Sequence, residues 1–140
     1  MLAVVIITIA GTPAAYAENG RDFSARYDIT NVSPVGANQV SVTLSLRLQN
    51  HSGADIADAE VSLQDQDSAL EFKSLGVFPT HVTLANHSVA NVSGTFLVPA
   101  PYVTQWRTGA RPRVIVRFMS AQGRWSRRPV ELLFMPGVGR

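Results

Sequence analysis

The sequence predicts an all-β chain folded as a two-sheet antiparallel sandwich of seven to eight strands. Three observations carry this. Apolar and polar residues alternate with period two, most clearly from Gln39 to Leu63, where Val40, Val42, Leu44, Leu46 and Leu48 interleave with Ser41, Thr43, Ser45 and Arg47. Turn-forming residues recur about every 8–12 residues, the spacing of short strands in a sandwich. Nothing longer than a turn has apolar residues at three-and-four spacing without also fitting period two. A small barrel shares these signals and is the competing architecture.

One domain is the default for 140 residues, and 46 % hydrophobic with 16 % charged residues suits a packed chain rather than a disordered one. The first residues read as a targeting segment. Leu2 to Ala10 is a short apolar run, Gly11-Thr12-Pro13 breaks it, and Ala15-Tyr16-Ala17 offers small residues where a signal peptidase reads. No Lys or Arg precedes the run, which departs from the usual pattern. A first core strand is the competing reading of Val4 to Ile9. The expected division is a signal peptide at 1–17 and a β-sandwich domain at 18–140. The expected location is periplasmic, cell-surface or extracellular. There is no cysteine, so disulfides, a lipoprotein anchor and thiolate metal clusters are excluded. No apolar stretch reaches the roughly 18 residues of a membrane span.

The elements follow in order. Phe23, Ala25, Tyr27 and Ile29 alternate with polar residues and predict a first strand. Ser33 to Asn38, punctuated by Pro34 and Gly36, reads as a loop. Two strands then flank Asn50-His51-Ser52-Gly53: Val40–Leu48 before it and Ile56–Leu63 after it. Asp65 to Ser68 is turn-like, Leu70 and Phe72 suggest a short strand, and Leu75 to Pro79 reads as a break. Val82–Leu84 predicts another short strand, ending at Asn86-His87-Ser88, and Val92–Val98 a longer one. Pro101 to Thr108 has no clear period and reads as a crossing segment. Val114, Val116 and Phe118 predict a strand that turns at Ala121-Gln122-Gly123-Arg124 and returns as Trp125–Phe134. Pro129 belongs at an edge or a bulge.

The run Leu46 to Gly53 followed by Ile56 to Val61 resembles the strand-end pattern of bacterial immunoglobulin-like modules of the cell-adhesion-related (CARDB) type. Ser74-Leu75-Gly76-Val77-Phe78 and Gly94 to Pro99 are similar to later segments of such modules. The Pro-Gly turn usual between those segments is replaced by Pro79-Thr80-His81. The resemblance implies an immunoglobulin-like fold and a tendency towards adhesion or scaffolding. It implies no catalytic residues.

Polar motifs point to little chemistry. Four of the six asparagines begin Asn-x-Ser sequons, at Asn31, Asn50, Asn86 and Asn91. Glycosylation is one reading and turn chemistry the other; Asn50 and Asn86 stand where strands should end, which favours turns. The three histidines, His51, His81 and His87, lie in separate loops, whereas zinc needs three or four converging ligands. Asp55, Asp58, Asp65 and Asp67 do not form a calcium loop, and Asp65-x-Asp67 lacks its glycine and closing glutamate. No metal or cofactor is expected. There is neither a G-x-S-x-G elbow nor an H-E-x-x-H pair, so the chain is expected not to be an enzyme. A deep polar cleft placing His81 or His87 beside an acid would reopen that question.

Charge is the most informative polar feature. From Pro101 onward there are eight arginines against one acid, Glu131, whereas Glu18 to Ala100 holds four basic residues against nine acids. The net charge of +2 hides this split. A C-terminal hairpin gathers Arg113, Arg117, Arg124, Trp125, Arg127 and Arg128 into a candidate binding surface. Its competing reading is a solvated face paired with acids from neighbouring strands. The expected function is that of a non-enzymatic, exported module for protein binding, adhesion or structural assembly. Its expected partner is a protein or an anionic polymer or glycan at the cell surface, and not nucleic acid. The alternative is a carbohydrate-binding module using Trp106 and Trp125, with Tyr102 as a further aromatic.

Overall fold

The computed structural model of the chain describes residues 22–66 and 71–137. The expected signal segment at 1–17, Asp67, Leu70 and the last three residues lie outside the described residues. Eight strands form: β1 (Phe23–Val35), β2 (Gln39–Asn50), β3 (Ile56–Gln66), β4 (Phe72–Val77), β5 (Val82–Leu84), β6 (Val89–Pro99), β7 (Arg113–Met119) and β8 (Trp125–Phe134). A helix, α1 (Ala100–Arg107), stands between β6 and β7.

The all-β class is as expected, but the pairing differs from two separate antiparallel sheets. The strands hydrogen-bond in one path, β4-β3-β7-β8-β1-β2-β6, with β5 added on β3. Every pair is antiparallel except β1 with β8, which run parallel through Ala25–Leu132, Arg26–Leu133 and Tyr27–Phe134. That short contact ties the two ends of the chain together. The end strands also approach each other: a Cβ on Gly76 of β4 would lie 2.9 Å from Phe96 Cδ1 of β6. Phe78, just past β4, meets the Phe96 ring edge-on at 4.9 Å between centroids. The sheet therefore nearly closes on itself, in the direction of the barrel alternative.

The core follows from the alternation. Val42, Leu44, Leu46 and Leu48 of β2 and Val61 and Leu63 of β3 are fully buried, while their polar neighbours face outward. Each such side chain contributes about 1.5–3 kcal/mol of hydrophobic stabilisation.

Three elements differ from expectation. β1 continues through Ser33-Pro34-Val35, leaving a short turn in which Gly36 takes φ +73°. β4 occupies much of the expected break after Leu75; a register shift between Leu63 and Gln64 of β3 accommodates it. The crossing segment is a two-turn helix. Pro101 falls in its first turn, where a missing N–H does no harm. Val103 and Trp106 are buried on one side, and the Tyr102 ring lies 6.2 Å from that of Trp106. Four β-favouring residues in eight positions, Tyr102, Val103, Thr104 and Trp106, conceal this spacing. The helix drives Trp106 into the core, edge-on to Tyr27 at 6.4 Å, with indole Nε1 donating to Asp65 Oδ2 at 2.7 Å.

Two local features bear on the surface. Pro129 pairs with Ile115 of β7, while β1 reaches β8 only from Leu132 onward. The proline therefore lies in the half of β8 whose second edge is unpaired, where it removes no ladder bond. Asn50, fully buried, locks two turns together: Nδ2 donates to the carbonyls of Ala54 (2.8 Å) and Leu84 (2.9 Å), and Oδ1 accepts from the Ser52 amide at 2.9 Å.

Candidate functional site

The β7–β8 hairpin is built by alternation. Val114 and Val116 of β7 and Val130 and Leu132 of β8 are buried. Strand geometry then turns Arg113, Ile115, Arg117 and Met119 outward on β7, with Trp125, Arg127, Pro129 and Glu131 outward on β8. Arg117 stands opposite Arg127 on one side and Glu60 of β3 on the other. Its guanidinium carbon lies 4.0 Å from the centre of the Trp125 ring, which is 58 % exposed. Ile115 shares this outward face yet is only 5 % exposed, covered by its long-chained neighbours.

Arg113 is held differently. Its Nε donates to Gln64 Oε1 at 2.9 Å, and its guanidinium lies 3.5 Å from the centre of the Phe72 ring. Burial, and secondarily the nearby charge of Arg127, pull its pKa below the usual guanidinium value.

The structure brings four of the six expected residues onto one face: Arg113, Arg117, Trp125 and Arg127. Arg124 lies beside them in the exposed turn, where the Ser120 amide donates to its carbonyl at 2.7 Å. Arg128 does not belong to the face. It stands opposite Val116, on the inward side of the alternation, and its Nε donates to Asp22 Oδ2 at 3.2 Å. It fastens β8 to the start of β1. A second arginine ion pair joins Arg111 to Glu131 at 3.6 Å. Among the described residues, Arg117, Arg124 and Arg127 have no acidic partner. Acids of the first half therefore neutralise only part of the basic half.

The other candidates are placed as follows. Trp106 is 1 % exposed, so it offers no surface to a sugar ring. Trp125 is open, but Arg117 lies over its ring. His81 Nδ1 is 2.8 Å from Asp58 Oδ1, an acid within hydrogen-bond reach. Both side chains are more than half exposed, and His81 lines an open polar groove with Thr83, Asn91 and Ser93, not a deep cleft. Ser24 Oγ lies 3.1 Å from His51 Nε2, far along the fold from that pair. His87 occupies a turn at φ +66°. Asp65, expected in a loop, is buried under Trp106. Among the described residues, no three His, Asp or Glu side chains converge as a metal ion requires.

No family model matches the chain, and no curated protein matches it. Solved structures do. An X-ray structure of a structural-genomics target is similar over 85 % of this chain and 91 % of its own, at 8 % identity and a TM-score of 0.44. The CARDB domain of a Pyrococcus furiosus protein, solved in complex with di-metal ions, is similar over 80 % of this chain and 88 % of its own, at 10 % identity and a TM-score of 0.36. A β-glucosidase from Kluyveromyces marxianus is similar over 81 % of this chain, which spans 15 % of that enzyme, at 9 % identity and a TM-score of 0.26. A CARDB domain, the kind of module the sequence resembles, is thus among the structures similar to this chain.

Proposed function

We propose that this chain is a non-enzymatic, exported module that binds a partner, or joins an assembly, at the cell surface through the outward face of its β7–β8 hairpin. The observation that carries the reading is one exposed face holding Arg117, Arg127 and Trp125, with no acid paired to either arginine among the described residues. Such a face attracts an acidic protein surface or anionic polymer over distances of about a Debye length, roughly 8 Å at physiological salt. We read the strand path as immunoglobulin-like, with β1, β2 and β6 in one layer, β4, β3, β7 and β8 in the other, and the parallel β1–β8 contact joining them. Export rests on the sequence of residues 1–17.

The experiment replaces Arg117, Arg124 and Arg127 with serine and measures retention on a sulfated-polysaccharide matrix and on an immobilised polyglutamate, across a salt series. Elution at clearly lower salt is expected from both. Arg128→Ser serves as the comparison, because its loss loosens β8 from β1 without emptying the face. An unchanged elution profile for the triple variant removes the hairpin from the interaction.

A further inference from the structure

β1 and β8 touch along only three residue pairs, and beside that contact the outer surface opens into a groove of about 580 Å³. Residues Pro129 to Leu133 of β8 form its floor. Ser24 and Arg26 of β1 line one side, and Arg111, Arg113 and Phe72 the other. The volume lies within the roughly 300–1,000 Å³ of ordinary ligand sites.

Its chemistry is specific. Three arginines meet there with one acid, Glu131, which already holds Arg111 at 3.6 Å. Arg113 is positioned before any ligand arrives, by Gln64 on Nε and by Phe72 against its face. Its two terminal nitrogens have no hydrogen-bond partner among the described residues, which leaves a planar fork of the kind that grips a carboxylate. The floor supplies apolar contact through Pro129 and Leu133, both exposed. The Phe72 ring already carries a guanidinium, which removes a stacking surface for sugars or bases. Glu131 in the floor repels a dense polyanion.

We propose that this groove binds an extended acidic peptide segment, with a carboxylate on the Arg113 fork and apolar side chains against Pro129 and Leu133. The groove shares Arg113, Pro129 and Glu131 with the outward face of the hairpin but does not include Arg117, Arg124, Trp125 or Arg127. The floor accommodates a strand of about five residues at roughly 3.3 Å each.

The test uses the purified protein and a fluorescein-labelled peptide of alternating aspartate and leucine, read by fluorescence anisotropy. Saturable binding below about 1 mM is expected. Arg113→Gln and Arg26→Gln should each weaken it about tenfold, Arg113→Lys nearly as much, and Arg107→Gln, at the exposed end of α1, less than about twofold. Replacing aspartate by asparagine in the peptide should cost at least as much as Arg113→Gln. Absence of saturable binding, indifference to Arg113→Gln and Arg26→Gln, or equal binding of the asparagine peptide overturns the proposal. So does tighter binding of a polyphosphate of equal charge at the same residues. Amide shifts of the unmutated protein locate the peptide independently of variant folding. Movement of Glu131 to Leu133 supports the groove, whereas movement confined to Arg124 to Arg127 overturns it and leaves the hairpin reading standing.

Discussion

Asn50 offers the sharpest test of how the loops that frame β3 and β5 are held. The side chain is fully buried and makes three hydrogen bonds, two as donor to the carbonyls of Ala54 and Leu84 and one as acceptor from the Ser52 amide. Its backbone adds two more links: its amide donates to the Ser88 carbonyl and its carbonyl accepts from the His87 amide, each at 3.0 Å. Asn50→Ala keeps the backbone links and deletes the side-chain ones. At about 1 kcal/mol net for each bond, the loss is about 3 kcal/mol. For a domain of this size that lowers Tm by about 10 °C. Asn50→Asp separates hydrogen bonding from shape. A carboxylate of the same size keeps the acceptor but replaces the doubly donating Nδ2 with one oxygen of a negative group facing two carbonyls. The charge is buried and unpaired, so the loss should exceed that of the alanine variant, reaching about 3–5 kcal/mol. Thermal and urea unfolding at pH 7, followed by circular dichroism, reads both. An aspartate variant as stable as the alanine variant, or more so, refutes the donor assignment on which the argument stands.

Other outcomes follow from the packing around α1. The Tyr27 hydroxyl is buried without a hydrogen-bond partner among the described residues, so Tyr27→Phe should leave the fold unharmed or stabilise it by about 1 kcal/mol; a clear loss of stability in thermal unfolding would contradict this. Burial, and then the charge of Asp65, raise the pKa of the same phenol, so the folded state holds its proton where the unfolded state releases it. Stability should therefore decline as pH rises above about 10, and the decline should be shallower in Tyr27→Phe. The two tryptophans should report opposite environments: Trp125→Phe leaves blue-shifted emission poorly quenched by acrylamide, whereas Trp106→Phe leaves exposed emission. Equal quenching in the two variants would contradict the burial of Trp106.

Much of the fold is legible in the sequence because a half-exposed strand writes its own pattern. β2, β3, β6, β7 and β8 all stand where alternation predicts, since each faces the core on one side and water on the other. The helix is not legible in the same way. Its eight residues hold two core positions, Val103 and Trp106, and only tertiary contact with Tyr27 and Asp65 makes the helical reading win. Strand partners are illegible too, because period two fixes which side chains face inward and says nothing about which strand lies next door. That is why Arg128 reads as part of the basic cluster: its ion pair with Asp22 depends on where β1 begins. The groove shares that fate, for its walls come from β1, β4 and β7, far apart in sequence.

The hairpin itself carries the strongest argument that its charge is not incidental. Arg117 and Arg127 stand directly opposite each other in the β7–β8 ladder, and like charges in that position are destabilising by a few tenths of a kcal/mol to about 1 kcal/mol. A sheet selected for stability alone would place an acid or a threonine at one of the two. Glu60 of β3 stands opposite Arg117 on its other side without forming an ion pair with it, and Trp125 holds the guanidinium in place while leaving its charge intact. Arg113 repeats the arrangement at the other end of β7, seated on Phe72 and anchored by Gln64, its pKa depressed by burial first and then by the charge of Arg127. Two arginines braced by aromatic rings, each close to the like charge of Arg127, form a surface that spends stability to keep positive charge fixed and open. A local conflict of that kind is where function is expected. Under the function proposed above, it ranks this face ahead of paired polar surfaces such as the solvent-exposed His81–Asp58 pair as the first place to test for a partner.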